Sequence, residues 1–490
     1  MTAETTTEHP PHFLRQVSKN VIWLGVGYVV SRMMTLGMLM LLTRTLSMAE
    51  LGRFTMLTTL IGLCETIPVF GIDRLALREV GRDSVTGWSE VPHFLGFVFA
   101  FSLLLAGVLA TTVWCLDMSG GSVLLAGVTG LIVIPESCVV VLGAAFQGAQ
   151  MMSWFARGLI VLSSGSLLTV GVASLWGLGL DAIFLGFFLS HILHLGLLLY
   201  AAPIRVRPRF VPSRWRSTLF DGAPYALSNV LGILQLKLDL LFVAWLSGEE
   251  GVAIYGVAFK FVELTILVSV IGVVALLPNM ARLRTHPQQL ERTYILCLKI
   301  SALAALPIAF LVFWHSDILL RVIFTDQYLG AQSTLHLLTG VMFFSILQVP
   351  NWAVLLSAPE QRFTVIVSVV TLSLNAFLNM LLIPPLGPLG AAAAALCATA
   401  VGTVLSMFFI QKSFDSSGLP LLRWVGCPAF AGGAALLLFA YGSLLYFSQS
   451  FSAFIGLVAY VGVVIWVDAR ASDQSLLTLC LPRLRATLST

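Results

Sequence analysis

The stretch PIRVRPRFVPSRWRSTLF, residues 203–220, carries three prolines and five arginines between two long apolar runs. Proline interrupts helices and arginine is costly in hydrocarbon, so this stretch lies outside a membrane. On either side the apolar runs cover about 181–202 and 222–247. A helix needs roughly 20 apolar residues to cross the bilayer core. Working outward, such runs recur at about 21–46, 54–71, 93–114, 122–147, 155–176 and 181–202 before the arginine-rich stretch. After it they recur at about 222–247, 252–277, 293–314, 333–356, 363–384, 388–411, 424–446 and 451–467. The pattern predicts an all-α polytopic membrane protein of about fourteen spans.

Composition supports this reading. Hydrophobic residues make up 58% of the 490 and charged residues only 10%, with a mean hydropathy of +0.95. A soluble domain carries about 25% charge. The runs are too long for barrel strands and do not alternate. The net charge of +4 sits in particular loops and gives no ground for nucleic-acid binding. No phosphate-binding loop ending in Gly-Lys-Ser/Thr is present, and the seven cysteines have no metal or redox spacing. The polar first 19 residues lack the features of a cleavable signal peptide. No cofactor is expected.

The positive-inside rule orients the chain. Counted from a cytoplasmic N-terminus, basic residues favour the inner loops over the outer ones by roughly 20 to 3. The inner set includes Arg74, Arg78, Arg82, Arg157 and the five arginines of 203–220, whereas the outer set is Arg44, Arg53 and Arg321. Both termini are expected in the cytoplasm. The organisation expected is a tail (1–19), a six-helix lobe (20–202), a basic linker (203–220) that touches anionic membrane lipids, a second six-helix lobe (221–411), a helix pair (412–468) and a tail (469–490). Leu51-Gly52-Arg53-Phe54 and Ala253-Ile254-Tyr255-Gly256 fall in matching places, which implies a parallel repeat.

Charges at membrane depth mark cavities or partners. Arg32 lies roughly 16 Å into the first span, near the midplane. Lys237 and Asp239 lie in the seventh span, two residues apart and so on different helix faces. Superposing the two repeats puts Lys237 about one turn from the counterpart of Arg32, so both become candidates for a substrate cavity. Lys260 and Glu263 share a face and are expected to compensate each other. Glu65 falls near the middle of the second span, and Glu136 follows Pro135 in the fourth. A carboxyl buried there can carry a proton or hydrogen-bond a neighbouring helix. Either makes an ion-coupling candidate. His191 and His194 share a face of the sixth span but have no third ligand nearby, so no metal is expected. Lys299 is close enough to the interface to snorkel.

Four ordered stretches resemble a known group. They are Leu42-Thr43-Arg44-Thr45-Leu46 with Glu50-Leu51-Gly52-Arg53-Phe54; Asp239 with Ala253-Ile254-Tyr255-Gly256-Val257-Ala258; Phe324 through Tyr328 to Leu338; and Asn375 through Asn379 to Ile383-Pro384 and Leu386-Gly387-Pro388-Leu389-Gly390-Ala391-Ala392. In order and spacing these resemble the polysaccharide branch, the Wzx-type oligosaccharide flippases, of the multidrug/oligosaccharidyl-lipid/polysaccharide (MOP) exporter superfamily. Ser47 departs from the glycine usual in that family.

The resemblance implies a bacterial inner-membrane flippase, not an enzyme, that moves an isoprenoid (undecaprenyl) diphosphate-linked oligosaccharide by alternating access. The diphosphate would be held by Arg32 and Lys237, and a proton or sodium gradient would drive it. Polysaccharide polymerase and glycosyltransferases are the implied protein partners. A multidrug antiporter is the alternative, but drug exporters of this superfamily commonly have twelve spans and the cations here suit an anion. A lipid-linked peptidoglycan precursor flippase is closer, though the first two spans hold few further basic residues. Outer loops are too short for the active site of a membrane glycosyltransferase.

Overall fold

The computed structural model describes residues 11–357 and 362–413. All regular structure among them is helical. In chain order the helices are α1 (Pro11–Thr45), α2 (Met48–Val69), α3 (Ile72–Arg82), α4 (Ser84–Cys115), α5 (Val123–Gly148), α6 (Met152–Trp176) and α7 (Leu180–Ala201). Then come α8 (Pro212–Leu283), α9 (Pro287–Trp314), α10 (Ser316–Ile323), α11 (Gln332–Ser357), α12 (Arg362–Leu386) and α13 (Pro388–Ser413), with a 3₁₀ turn at Asp326–Ala331. Ten helices among the described residues are long and apolar enough to cross a membrane, or eleven if the bent pair α2–α3 is one span. The chain is therefore a multi-pass helical membrane protein. The expected spans 424–446 and 451–467 and the tail 469–490 lie outside the described residues.

Three local features differ from the sequence reading. Residues 72–82, expected as an inner loop with Arg74, Arg78 and Arg82, form helix α3, bent 54° from α2. Phe70 and Gly71 both adopt left-handed backbone there, which ends α2. A β-carbon at Gly71 would sit 2.5 Å from the Gly222 carbonyl oxygen, so the bend also needs glycine for close approach. Secondly, no loop separates the spans expected at 222–247 and 252–277: they are two helices that meet at a kink at Gly248, φ 71°, and are labelled together as α8. Thirdly, α8 starts at Pro212, inside the segment expected to be a linker. Proline suits a first helical turn, where its missing N–H is not needed.

The described residues divide into two compact units, residues up to Ala253 with Ile323–Thr325, and Ile254–Val322 with the chain from Asp326. In the first, α4 packs on α5, α1 on α6, α6 on α7 and α3 on α5. Small residues permit these approaches. A β-carbon at Gly27 of α1 would fall 2.7 Å from Ala156 Cβ of α6. Arg157 closes the same seam with its guanidinium 4.5 Å from the ring centre of Trp154 and 5.9 Å from that of Trp23. The irregular residues 202–211 are pinned to α4, where Arg209 N–H donates to the Pro92 carbonyl at 2.8 Å. Trp215 meets Phe97 edge-on, with ring centres 5.7 Å apart.

The second unit packs α9 and α13 against α11, and α12 against α13. Its buried polar groups join these helices. Tyr294 of α9 donates to Asn351 of α11 at 2.8 Å, and Asn351 donates to Ser406 of α13 at 2.8 Å. Met280, Leu290, Leu298, Leu347 and Ile410 surround them with apolar contact.

Candidate functional site

Four ionisable side chains converge inside the first unit. Glu65 comes from α2, Glu136 from α5, and His191 and His194 from α7. α2 begins at Met48 rather than near residue 54, so Glu65 lies in its last third and not at its middle. Ser137 places it, donating to the Glu65 carbonyl at 3.3 Å and tying α5 to α2 beside both carboxyls. The Glu65 and Glu136 side chains then interact directly as a carboxyl pair.

His191 Nδ1 lies 2.8 Å from the Phe187 carbonyl oxygen. A carbonyl only accepts, so Nδ1 carries the hydrogen and Nε2 is the free basic nitrogen of a neutral ring. Nε2 points at Glu136 Oε1 across 3.9 Å, an ion-pair distance rather than a hydrogen bond. Glu136 Oε2 is buried without a hydrogen-bond partner. His194 is 1% exposed, and neither of its ring nitrogens has a partner. It fits against α6 because residue 158 is glycine: a β-carbon there would approach His194 Nε2 to 2.5 Å. Sequence reading weighed the glutamates singly and the histidines only as metal ligands. Among the described residues no three His, Cys, Asp or Glu side chains are placed to hold a metal ion together.

The expected cations stand differently. Lys237 on α8 is half-buried, and its charge acts on Glu65, which joins it to the cluster. Asp239 is buried at 4% exposure. Arg32 on α1 is exposed, one turn beyond Tyr28, with which it interacts. Both Arg32 and Lys237 belong to the first unit. Lys260 donates to Glu263 at 2.8 Å in the second unit, a local pair along α8. Lys299, expected to snorkel, is instead buried at 5% exposure.

Two other polar sites are self-neutralised. Arg53 grips Glu249 with two hydrogen bonds, Nε to Oε1 at 2.9 Å and Nη2 to Oε2 at 3.2 Å. A cleft of about 400 Å³ beside α3 and the start of α8 is lined by Arg78 and Arg214 among others. Its arginines are already held, Arg78 by Glu79 at 2.8 Å and Arg214 by Glu90 at 3.1 Å. At the entry to α4, the Thr86 hydroxyl and the Val85 N–H hold the Asp83 carboxyl below the usual carboxylate range.

The family model for polysaccharide biosynthesis proteins matches residues 41–333 of this chain. The chain belongs to the polysaccharide biosynthesis protein family. That family's match takes in Glu65, Glu136, His191, His194 and Lys237 and leaves Arg32 outside. A relative is the probable low-salt glycan biosynthesis flippase Agl15 of Haloferax volcanii, 23% identical over 263 residues. The match covers 53% of this chain and 54% of that protein, so the chain spans about half the length of this curated relative. Among solved structures, the lipid II flippase MurJ superposes with a TM-score of 0.73 at 14% identity, covering 94% of this chain and 100% of that one. An outward-facing multidrug resistance transporter of the MOP superfamily gives 0.60 at 14% identity, covering 82% and 95%. This polysaccharide biosynthesis protein therefore shares the fold of those two structures.

Proposed function

We propose that this protein is a flippase, and not an enzyme, which moves an isoprenoid (undecaprenyl) diphosphate-linked oligosaccharide from the cytoplasmic to the periplasmic leaflet of a bacterial inner membrane. The product feeds surface polysaccharide synthesis as O-antigen, capsule or exopolysaccharide. The observation that carries this reading is the family match over 41–333, and the glycan flippase relative supports it. Fourteen spans complete the proposal: α8 crosses twice about its break at Gly248, and the apolar runs at 424–446 and 451–467 add the last pair. The bias of basic residues supports both termini in the cytoplasm.

Arg32 and Lys237 hold the diphosphate in this reading. Guanidinium donates two parallel hydrogen bonds to phosphate oxygens, and lysine supplies a point charge. Arg32 is exposed on a span, where a cation calls for water or an anion. Lys260 and Glu263, already paired, contribute packing rather than a site, and Asp239, buried on a different helix face from Lys237, keeps its place as an ion-coupling or cavity residue. The sugar travels through protein by alternating access while the prenyl tail stays in lipid. An ion gradient, proton or sodium, drives it through Glu65 and Glu136. Glycosyltransferases and the polymerase act before and after it.

Mass spectrometry of membrane lipids from a strain lacking the gene tests this. A polyprenyl-diphosphate oligosaccharide builds up and its glycan disappears from the surface. An unchanged lipid profile with normal glycan contradicts it. Build-up of a peptidoglycan precursor instead moves the assignment to that cargo.

A further inference from the structure

We infer that Glu65, Glu136 and His191 form a proton-binding site, that His194 lines it, and that the proton is the ion this transporter couples. The inference deepens the transport reading above and rests on it only in calling the proton a coupling ion.

Proton accounting leads there. With Nδ1–H committed to the Phe187 carbonyl, the basic Nε2 of His191 faces Glu136 Oε1 at 3.9 Å. If Glu136 is protonated, its O–H faces a nitrogen that accepts. If that proton moves, the O–H bond breaks, an N–H bond forms, and an imidazolium faces a carboxylate. Either state is charge-balanced, so a small side-chain movement shuttles one proton between them. Glu65 supplies the second acceptor, because two interacting carboxyls at membrane depth cannot both be ionised without penalty. The partnerless, buried Glu136 Oε2 is the free position for that proton.

The same chemistry disfavours sodium. Hard cations select oxygen donors in number, six or so for ions of this kind. Here the cluster offers two carboxyls, two imidazoles and the ammonium of Lys237, whose positive charge already acts on Glu65. The groups facing the pair are Lys237 from α8 and His191 and His194 from α7. A second metal-like cation among them meets repulsion, whereas a proton removes a negative charge.

Lys237 links this site to the cargo. Ionised Glu65 is stabilised by Lys237. A diphosphate bound at Lys237 competes for that charge and so favours a protonated Glu65. Linkage makes this reciprocal: anion binding draws a proton in.

Infrared difference spectroscopy on the full chain in phospholipid nanodiscs tests the inference, with spectra recorded as pH is stepped and with choline or sodium as the cation. The expected result is a protonated-carboxyl band that titrates, vanishes in Glu136→Gln, changes its titration in His191→Gln, and is the same in both cations. No titrating carboxyl band lost in Glu136→Gln, in protein that remains folded by circular dichroism, overturns the site. A band erased by sodium overturns the choice of ion. Adding inorganic pyrophosphate is expected to enlarge the band in the natural chain and not in Lys237→Gln. An unmoved band with titration intact overturns the diphosphate role of Lys237 while the proton site stands.

Discussion

In the second unit, Tyr294, Asn351 and Ser406 join three helices through two hydrogen bonds of 2.8 Å. In the first, Glu65, Glu136 and His191 also join three helices, but Glu136 and His191 stand 3.9 Å apart and Glu136 Oε2 has no partner. Both systems sit among apolar side chains on membrane-crossing helices. The neutral one joins its members by hydrogen bonds between uncharged groups. The ionisable one keeps open acceptors and titratable groups. A hydrogen-bonded neutral network rigidifies a core, whereas charges at membrane depth, costly to keep, mark function. The difference separates scaffold from site within one molecule.

The largest expected effect tests the functional side of that contrast. Arg32→Ala with Lys237→Ala abolishes appearance of surface glycan while membrane levels of the protein stay normal; normal glycan would remove both residues from the site. Next, Glu136→Gln and Glu65→Gln each flatten the pH dependence of transport, measured in vesicles, without lowering the amount of folded protein. An unaltered pH profile in both returns the carboxyls to a structural role.

The scaffold side gives the opposite signature. Asn351→Leu breaks both 2.8 Å hydrogen bonds. It lowers thermal stability by about 1 kcal/mol per bond lost, or somewhat less in a membrane, while the pH profile holds. Smaller still is the Arg53–Glu249 pair, whose side chains are 28% and 35% exposed. A double-mutant cycle there yields a coupling of roughly 0.2–1 kcal/mol, lessened by salt. Asp83→Asn is the smallest. Because the folded carboxyl is held below the usual range, its contribution is present above the ordinary carboxylate pKa of about 3.9 and is lost as pH falls through the folded value. A thermal-shift series in acid shows this loss in the natural chain and not in the variant.

How far these features were legible follows from their range in sequence. The spans among the described residues read directly, because twenty apolar residues with no charge admit few other structures. The break at Gly248 was legible as a gap between two runs, and a single glycine there turns one helix into the next. Helix α3 has a readable signature: Ile72, Leu75, Ala76 and Val80 are buried at helical spacing, with Arg74, Arg78 and Arg82 exposed. Its three arginines also mark topology, and that charge masks the apolar stripe between them. Glu65, Glu136, His191 and Lys237 were each visible as costly residues, but they sit on four helices. Only packing of α2 and α7 on α5 brings the first three together, with the charge of Lys237 acting on Glu65, and no local pattern carries that information. The burial of Lys299 was hidden for the same reason.

Direct transport by purified protein tests the central claim. Vesicles containing the full chain and a fluorescent prenyl-diphosphate sugar in one leaflet are followed for movement of the label to the other, with and without a proton gradient. The natural chain is expected to equilibrate the lipid between leaflets, faster with the gradient, while the Arg32→Ala, Lys237→Ala protein matches protein-free vesicles. Equal, slow exchange in all three would contradict flipping of a diphosphate-linked glycan by this molecule.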